Sequence, residues 1–165
     1  MLKQTLVSKN AVCILIYWIL AMPLASKAAS LPSVDELANS LKKLSAAVES
    51  GDFFEAENIL KTIPEQVRQS QIQILILEAL VDKGFYRAGA ARLKLKKALR
   101  LDRNNGDALF EMAVLLMEKR LWRRSEILLK AASLSATLKD SRRQSLPYYF
   151  GVTAFELGRI FESRN

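Results

Sequence analysis

The sequence predicts an all-α fold in which antiparallel helix hairpins stack as a solenoid. Three observations carry that expectation. Gly (6) and Pro (4) are scarce among 165 residues, while Leu, Ala, Lys and Glu are common, a composition that favours helices. A short turn pattern recurs four times along the body. On either side of these turns, apolar residues fall at helical intervals: Leu41, Leu44, Ala47 and Val48 before the first, and Ala113, Leu116 and Met117 before the third.

The chain opens on an address. Lys3 and Lys9 make a positive start, an apolar run follows from Ala11 to Ala25, Pro23 breaks it, and Ser26-Lys27-Ala28 offers small residues for a signal peptidase. Residues 1–28 are therefore expected to be a signal peptide cut after Ala28, or after Ala29. The alternative is an inner-membrane anchor formed by residues 11–25, but that run is shorter than the ~20 residues a spanning helix needs. Cys13 lies at the start of the run, not its end, which disfavours a lipid-attachment site. Cleavage would remove Lys3, Lys9 and Lys27, no acid, and the single cysteine. The remainder would suit an oxidising compartment without needing disulfides, and a periplasmic location is expected.

Residues 29–36 form a lead-in. Ser33 followed by Glu36 has the spacing of a capping box, so a helix is expected to start there. Thr62 with Glu65 offers a second such box, and Asp107 a further cap after the polar stretch that begins at Asp102. Residues 137–144 read as a charged connector.

The recurring pattern is a turn residue, a bulky apolar residue two positions on, and a small residue one turn later. It reads Gly51-Asp52-Phe53-Phe54-Glu55-Ala56, then Gly84-Phe85-Tyr86-Arg87-Ala88-Gly89, then Arg120-Leu121-Trp122-Arg123-Arg124-Ser125, then Gly158-Arg159-Ile160-Phe161-Glu162-Ser163. Glycine suits such a turn because it takes positive φ without steric cost. The bulky residue would plug the gap between two helices, and the small one would let them approach closely. A globular helical bundle is the alternative, which four matched turns disfavour.

This pattern resembles the tetratricopeptide repeat, a pair of helices of about 34 residues with small and large apolar residues at set places. The resemblance aligns residues 37–70, 71–105 and 106–139 as three units and 144–165 as part of a fourth. The third unit matches best, through Leu109, Met112, Ala113, Leu116, Trp122, Ser125, Leu129 and Ala132. Arg120 departs from the turn glycine, and Leu77 falls where a small residue is usual. A related helical-hairpin solenoid is the neighbouring possibility. The resemblance implies a right-handed solenoid of about three and a half repeats after the signal segment. A chain ending inside a unit is expected to be a fragment of a longer protein, since solenoids close with a polar capping helix.

Composition restricts the chemistry. There is no histidine and one cysteine, so the usual metal sites and the Ser-His-Asp or Cys-His arrangements are unavailable. Glu55 and Glu57, or Lys96 and Lys97, diverge on a helix instead of converging. The expectation is a binding scaffold, not an enzyme, with no cofactor and no metal.

The resemblance also implies where binding occurs. First helices of successive units would line a concave groove presenting Leu41, Ile74, Phe110, Tyr148, Val152 and Phe155, with Glu78 and Asp107 among the acids beside them; Glu49, Asp82, Glu118 and Glu156 lie on or near the same helices. A protein or peptide partner with apolar anchors and basic flanks is expected there. It would make the chain a periplasmic or envelope interaction scaffold, and the N-terminal part of an assembly or export protein is one form this could take. Second helices carry the opposite charge: Arg87, Arg92, Lys94, Lys96, Lys97 and Arg100 in one, Arg123 and Arg124 in the next. The plain reading is a solvated face, and the functional alternative is an anionic polysaccharide, lipid or membrane surface. Nucleic acid is not expected, because no aromatics interleave the basic helix.

Overall fold

The computed structural model of the chain describes residues 33–158, so the expected signal segment and the residues after Gly158 lie outside the described residues. The described part is helical throughout: α1 Val34–Ser50, α2 Phe53–Thr62, α3 Glu65–Ser70, α4 Ile72–Gly84, α5 Ala88–Leu101, α6 Gly106–Glu118, α7 Trp122–Leu134 and α8 Asp140–Glu156. None of these helices is long and apolar enough to cross a membrane.

Capping decides where the helices start. Ser33 and Glu36 form the reciprocal box at α1, as expected. Asp52 caps α2 and Asn105 caps α6. Two expected caps are corrected. Thr62 turns its hydroxyl back to the Ile59 carbonyl, and Pro64 takes the cap position of α3 without a side-chain bond. Asp107 sits in the first turn of α6, where its carboxylate accepts from the Lys139 backbone N–H. The expected connector 137–144 is also shorter, because α8 begins at Asp140. Pro147 lies within α8 and removes one of its ladder donors, on the exposed side of the helix.

Three hairpins, α1–α2, α4–α5 and α6–α7, close through one turn geometry. A left-handed residue donates to the carbonyl three back, and the next residue donates to the carbonyl five back. The left-handed residues are Gly51, Tyr86 and Arg120. The longer bonds run from Asp52 to Ala47, from Arg87 to Asp82 and from Leu121 to Leu116. Gly158, after α8, is left-handed too. This corrects the second turn by two residues. Gly84 ends α4 in ordinary helical geometry, Tyr86 makes the turn, and its ring stands 96% exposed instead of plugging the hairpin. Gly84 is needed for space: a Cβ there would lie 2.4 Å from the Phe53 ring.

Counted from the left-handed residues, the hairpins superimpose in pattern. Ala56, Ala91 and Ser125 are equivalent and fully buried. Leu60, Leu95 and Leu129 are equivalent and buried one turn later, and so are Ile63, Ala98 and Ala132 after them. Ser125 is accommodated because its hydroxyl donates to the Ala113 carbonyl at 2.9 Å.

The packing between hairpins is asymmetric. Among the described helices, the backbones of α1 and α4, α4 and α6, and α6 and α8 approach closely, while those of α2, α5 and α7 do not approach one another. Each second helix packs on its own first helix and on the next one. The cores follow this order: Leu44, Leu60, Ile74 and Val81 in the first, Leu75, Leu95 and Met112 in the second, Phe110, Leu129 and Leu146 in the third.

Candidate functional site

The packing of α1, α4, α6 and α8 leaves an open trough. Two adjoining hollows of about 320 Å³ and about 260 Å³ share Leu77, Lys139 and Arg142. The floor is apolar: Ile72, Ile76, Leu77 and Leu80 from α4, with Val48 from α1. The walls are polar, with Ser45 and Glu49 on α1, Gln73 on α4, and Ser141 and Ser145 on α8. Lys139, just before α8, and Arg142 of α8 line the same hollow as Glu49.

Arg142 organises the α6 side. Its guanidinium reaches Asp107 at 3.1 Å and Glu111 at 3.0 Å, and Lys83 of α4 completes Glu111 at 2.8 Å. Both carboxylates are buried. Burying them unpaired would be costly, so this network fixes α8 against α6 and α4. The two acids thus converge, but on cations, and the trough surface they border is close to neutral.

The expected groove residues are distributed differently. Ile74, Glu78, Phe110 and Asp107 are buried. Ile74 and Phe110 belong to core clusters, and Phe110 packs edge-on against Tyr149 with ring centroids 5.1 Å apart. Leu41 and Val152 are half-buried against the same cores. Tyr148 and Phe155 are exposed on α8, away from the hollows. Asp107 alone of the eight lines the trough, with its carboxylate already engaged.

The two-residue slip at the second turn explains part of this. Counted back from Tyr86 instead of Gly84, the position of Leu41 and Phe110 falls on Ile76, which does line the trough, and not on Ile74. Glu78 faces the other side of α4, held by Arg68 at 2.7 Å and by Lys94. The expected acidic groove is therefore corrected to a trough with an apolar floor and mixed walls. Leu77 departs from the repeat pattern only when the turn is counted from Gly84; counted from Tyr86, the small position falls on Ala79, which is buried, and no residue of the pattern marks the floor.

The basic face is also partly engaged. Arg87 binds Glu57 at 2.9 Å and Asp82 at 3.3 Å, and lies 4.5 Å above the Phe85 ring. Its hydrogen bond holds the Glu57 carboxyl below the usual range, while burial pushes the Asp82 carboxyl up. Lys94 belongs to Glu78, and Lys97 lies near Glu65. Arg87 and Lys94 thus act as pins between α5, α2 and α4 and are not free surface charges. Arg92, Lys96, Arg100, Arg123 and Arg124 are exposed.

Compared with known proteins, the chain matched no protein-family model, no curated protein and no solved structure.

Proposed function

We propose that the chain is a stacked helical-hairpin scaffold of the tetratricopeptide-like kind, acting by binding and not by catalysis, and that the trough over α1, α4, α6 and α8 holds a peptide segment of a protein partner. The observation that carries this is the continuity of the two hollows over the apolar floor of Ile76, Leu77 and Leu80. First helices that touch, with second helices that make no close backbone approach, support a superhelix with its first helices inside, and the resemblance to tetratricopeptide repeats implies that it is right-handed. The trough then runs along the inner surface, where an extended or helical segment can lay apolar anchors onto the floor. Serines and Gln73 on the walls supply hydrogen bonds, and Glu49 and Lys139 supply opposite charges, so selection rests on apolar shape more than on net charge. Export to the periplasm follows from the reading of residues 1–28 and belongs to the same proposal.

The test is peptide-library selection on the full chain, followed by affinity measurement of the enriched sequences. Gln73→Trp with Ser45→Trp fills the trough from its walls without removing a core side chain. Binding is expected to weaken at least about tenfold, the equivalent of about 1.4 kcal/mol, and Lys96→Glu should leave it unchanged. Selected peptides that bind the filled variant undiminished would reject the trough as the site. A reporter active only outside the cytoplasm, fused after Asn165, tests export: an inactive fusion would reject it.

A further inference from the structure

The outer side of α5 and α7 carries a feature that the charge pattern alone did not disclose. Leu93 is 68% exposed, Ile127 65% and Leu134 88%. These lie opposite the core-facing Ala91, Leu95 and Ala98 of α5 and Ser125, Leu129 and Ala132 of α7. On α5, Leu93 shares its stripe with Lys96 and Arg100 at helical spacing; on α7, Ile127 and Leu134 share theirs with Arg123 and Lys130. Both helices pack on α6, and Leu99 of α5 and Leu128 of α7 each reach into both adjoining cores, so the two stripes face the same side. α5 contains no acid, and the one acid of α7, Glu126, is paired with Lys130 at 3.0 Å. Among the described residues, Lys96, Arg100 and Arg123 enter no ion pair.

We propose that this outer face of α5 and α7 docks on a bilayer containing anionic phospholipid. A polysaccharide or other soluble polyanion would satisfy the cations but offers nothing to Leu93, Ile127 and Leu134. A bilayer interface offers both, with phosphates for the basic side chains and acyl chains for the apolar ones. Long Lys and Arg stems can lie along that boundary with their charges in the headgroup layer. The face is separate from the trough, so the two sites can be occupied together, and this proposal does not depend on the peptide reading.

The experiment must report the face itself, because residues 11–25 are apolar and could bring the full chain to vesicles unaided. The full chain carrying Cys13→Ser receives one thiol, labelled with a polarity-sensitive fluorophore, at Ile127→Cys or Leu93→Cys, with Tyr148→Cys as the control position. Vesicles of phosphatidylcholine with added phosphatidylglycerol should shift the emission at 127 and 93 to the blue and leave 148 unchanged. Pure phosphatidylcholine should give no shift at 127 or 93. Lys96→Glu with Arg100→Glu should weaken the response at least about tenfold, since each basic side chain near such a surface contributes roughly a fivefold factor. Vesicle binding without a blue shift at 127 and 93 would overturn the proposal, as would an equal shift at 148. So would soluble dextran sulfate reproducing the signal, which would make the face a polyanion or acidic-protein site.

Discussion

At the scale of single residues, two glycines are required for different reasons. Gly51 is left-handed with open space around it, so Gly51→Ala meets only backbone strain and should cost about 1 kcal/mol. Gly106 has ordinary φ, but a Cβ there would lie 2.8 Å from the backbone N of Leu138. Alanine's better helix propensity favours the substitution, yet overpacking against backbone outweighs it, and Gly106→Ala should lose about 1–3 kcal/mol. Urea unfolding of both variants checks this, and a stabilised Gly106→Ala would refute the crowding. Arg120→Gly should move the other way, by about 0.5–1 kcal/mol, because it relieves a left-handed side chain at φ 56. Asp82 makes a prediction about pH. Burial lifts its native pKa above the ordinary value of 3.8, against the pull of Arg87. The native state then holds the proton over a window in which the unfolded chain has released it, so stability falls as pH rises from 3.8 through the native value. Asp82→Asn removes that dependence. Its melting temperature relative to the unsubstituted chain should therefore climb over this window and then level off; a difference that is flat with pH would reject the assignment.

At the scale of elements, a buried ion-pair network seats α8. Arg142 serves two buried carboxylates of α6 and is itself largely buried, so solvent screens the network little. Arg142→Met should cost about 3 kcal/mol, and adding Asp107→Asn should restore part of it, because Asp107 is the carboxylate left without a cation while Glu111 keeps Lys83. A double-mutant cycle in urea measures this coupling, and additive effects would show the pairs to be idle. The turns teach a related lesson about reading elements. Glycine is the usual left-handed residue, so Gly84 drew the second turn to itself. The hydrogen bond from Arg87 to the Asp82 carbonyl puts the turn at Tyr86. Steric need at Phe53, not conformational need, keeps Gly84 where it is. These two demands leave the same letter in the sequence.

At the scale of the whole molecule, the two proposed surfaces should respond differently to salt. Peptide binding in the mixed-charge trough should change little with ionic strength. Docking of the outer face on anionic vesicles should weaken steeply as the screening length shortens. Equal salt dependence of the two would argue that they are not distinct sites. What the sequence determined by itself was local: the helical class, the start of α1 at its capping box and the charge of α5. Composition, spacing and a cap are properties of neighbours along the chain. Tertiary structure decided which face of each helix is used. Ile74, Leu75, Ile76 and Leu77 are consecutive and all buried, because α4 is touched by α1, α2, α3, α5 and α6. A helix enclosed on most sides has apolar residues around most of its circumference, so periodicity cannot single out the stripe left over to floor a trough. The same holds for charge: Glu78, Asp107, Arg87 and Lys94 read alike as surface groups until packing brings each to its partner.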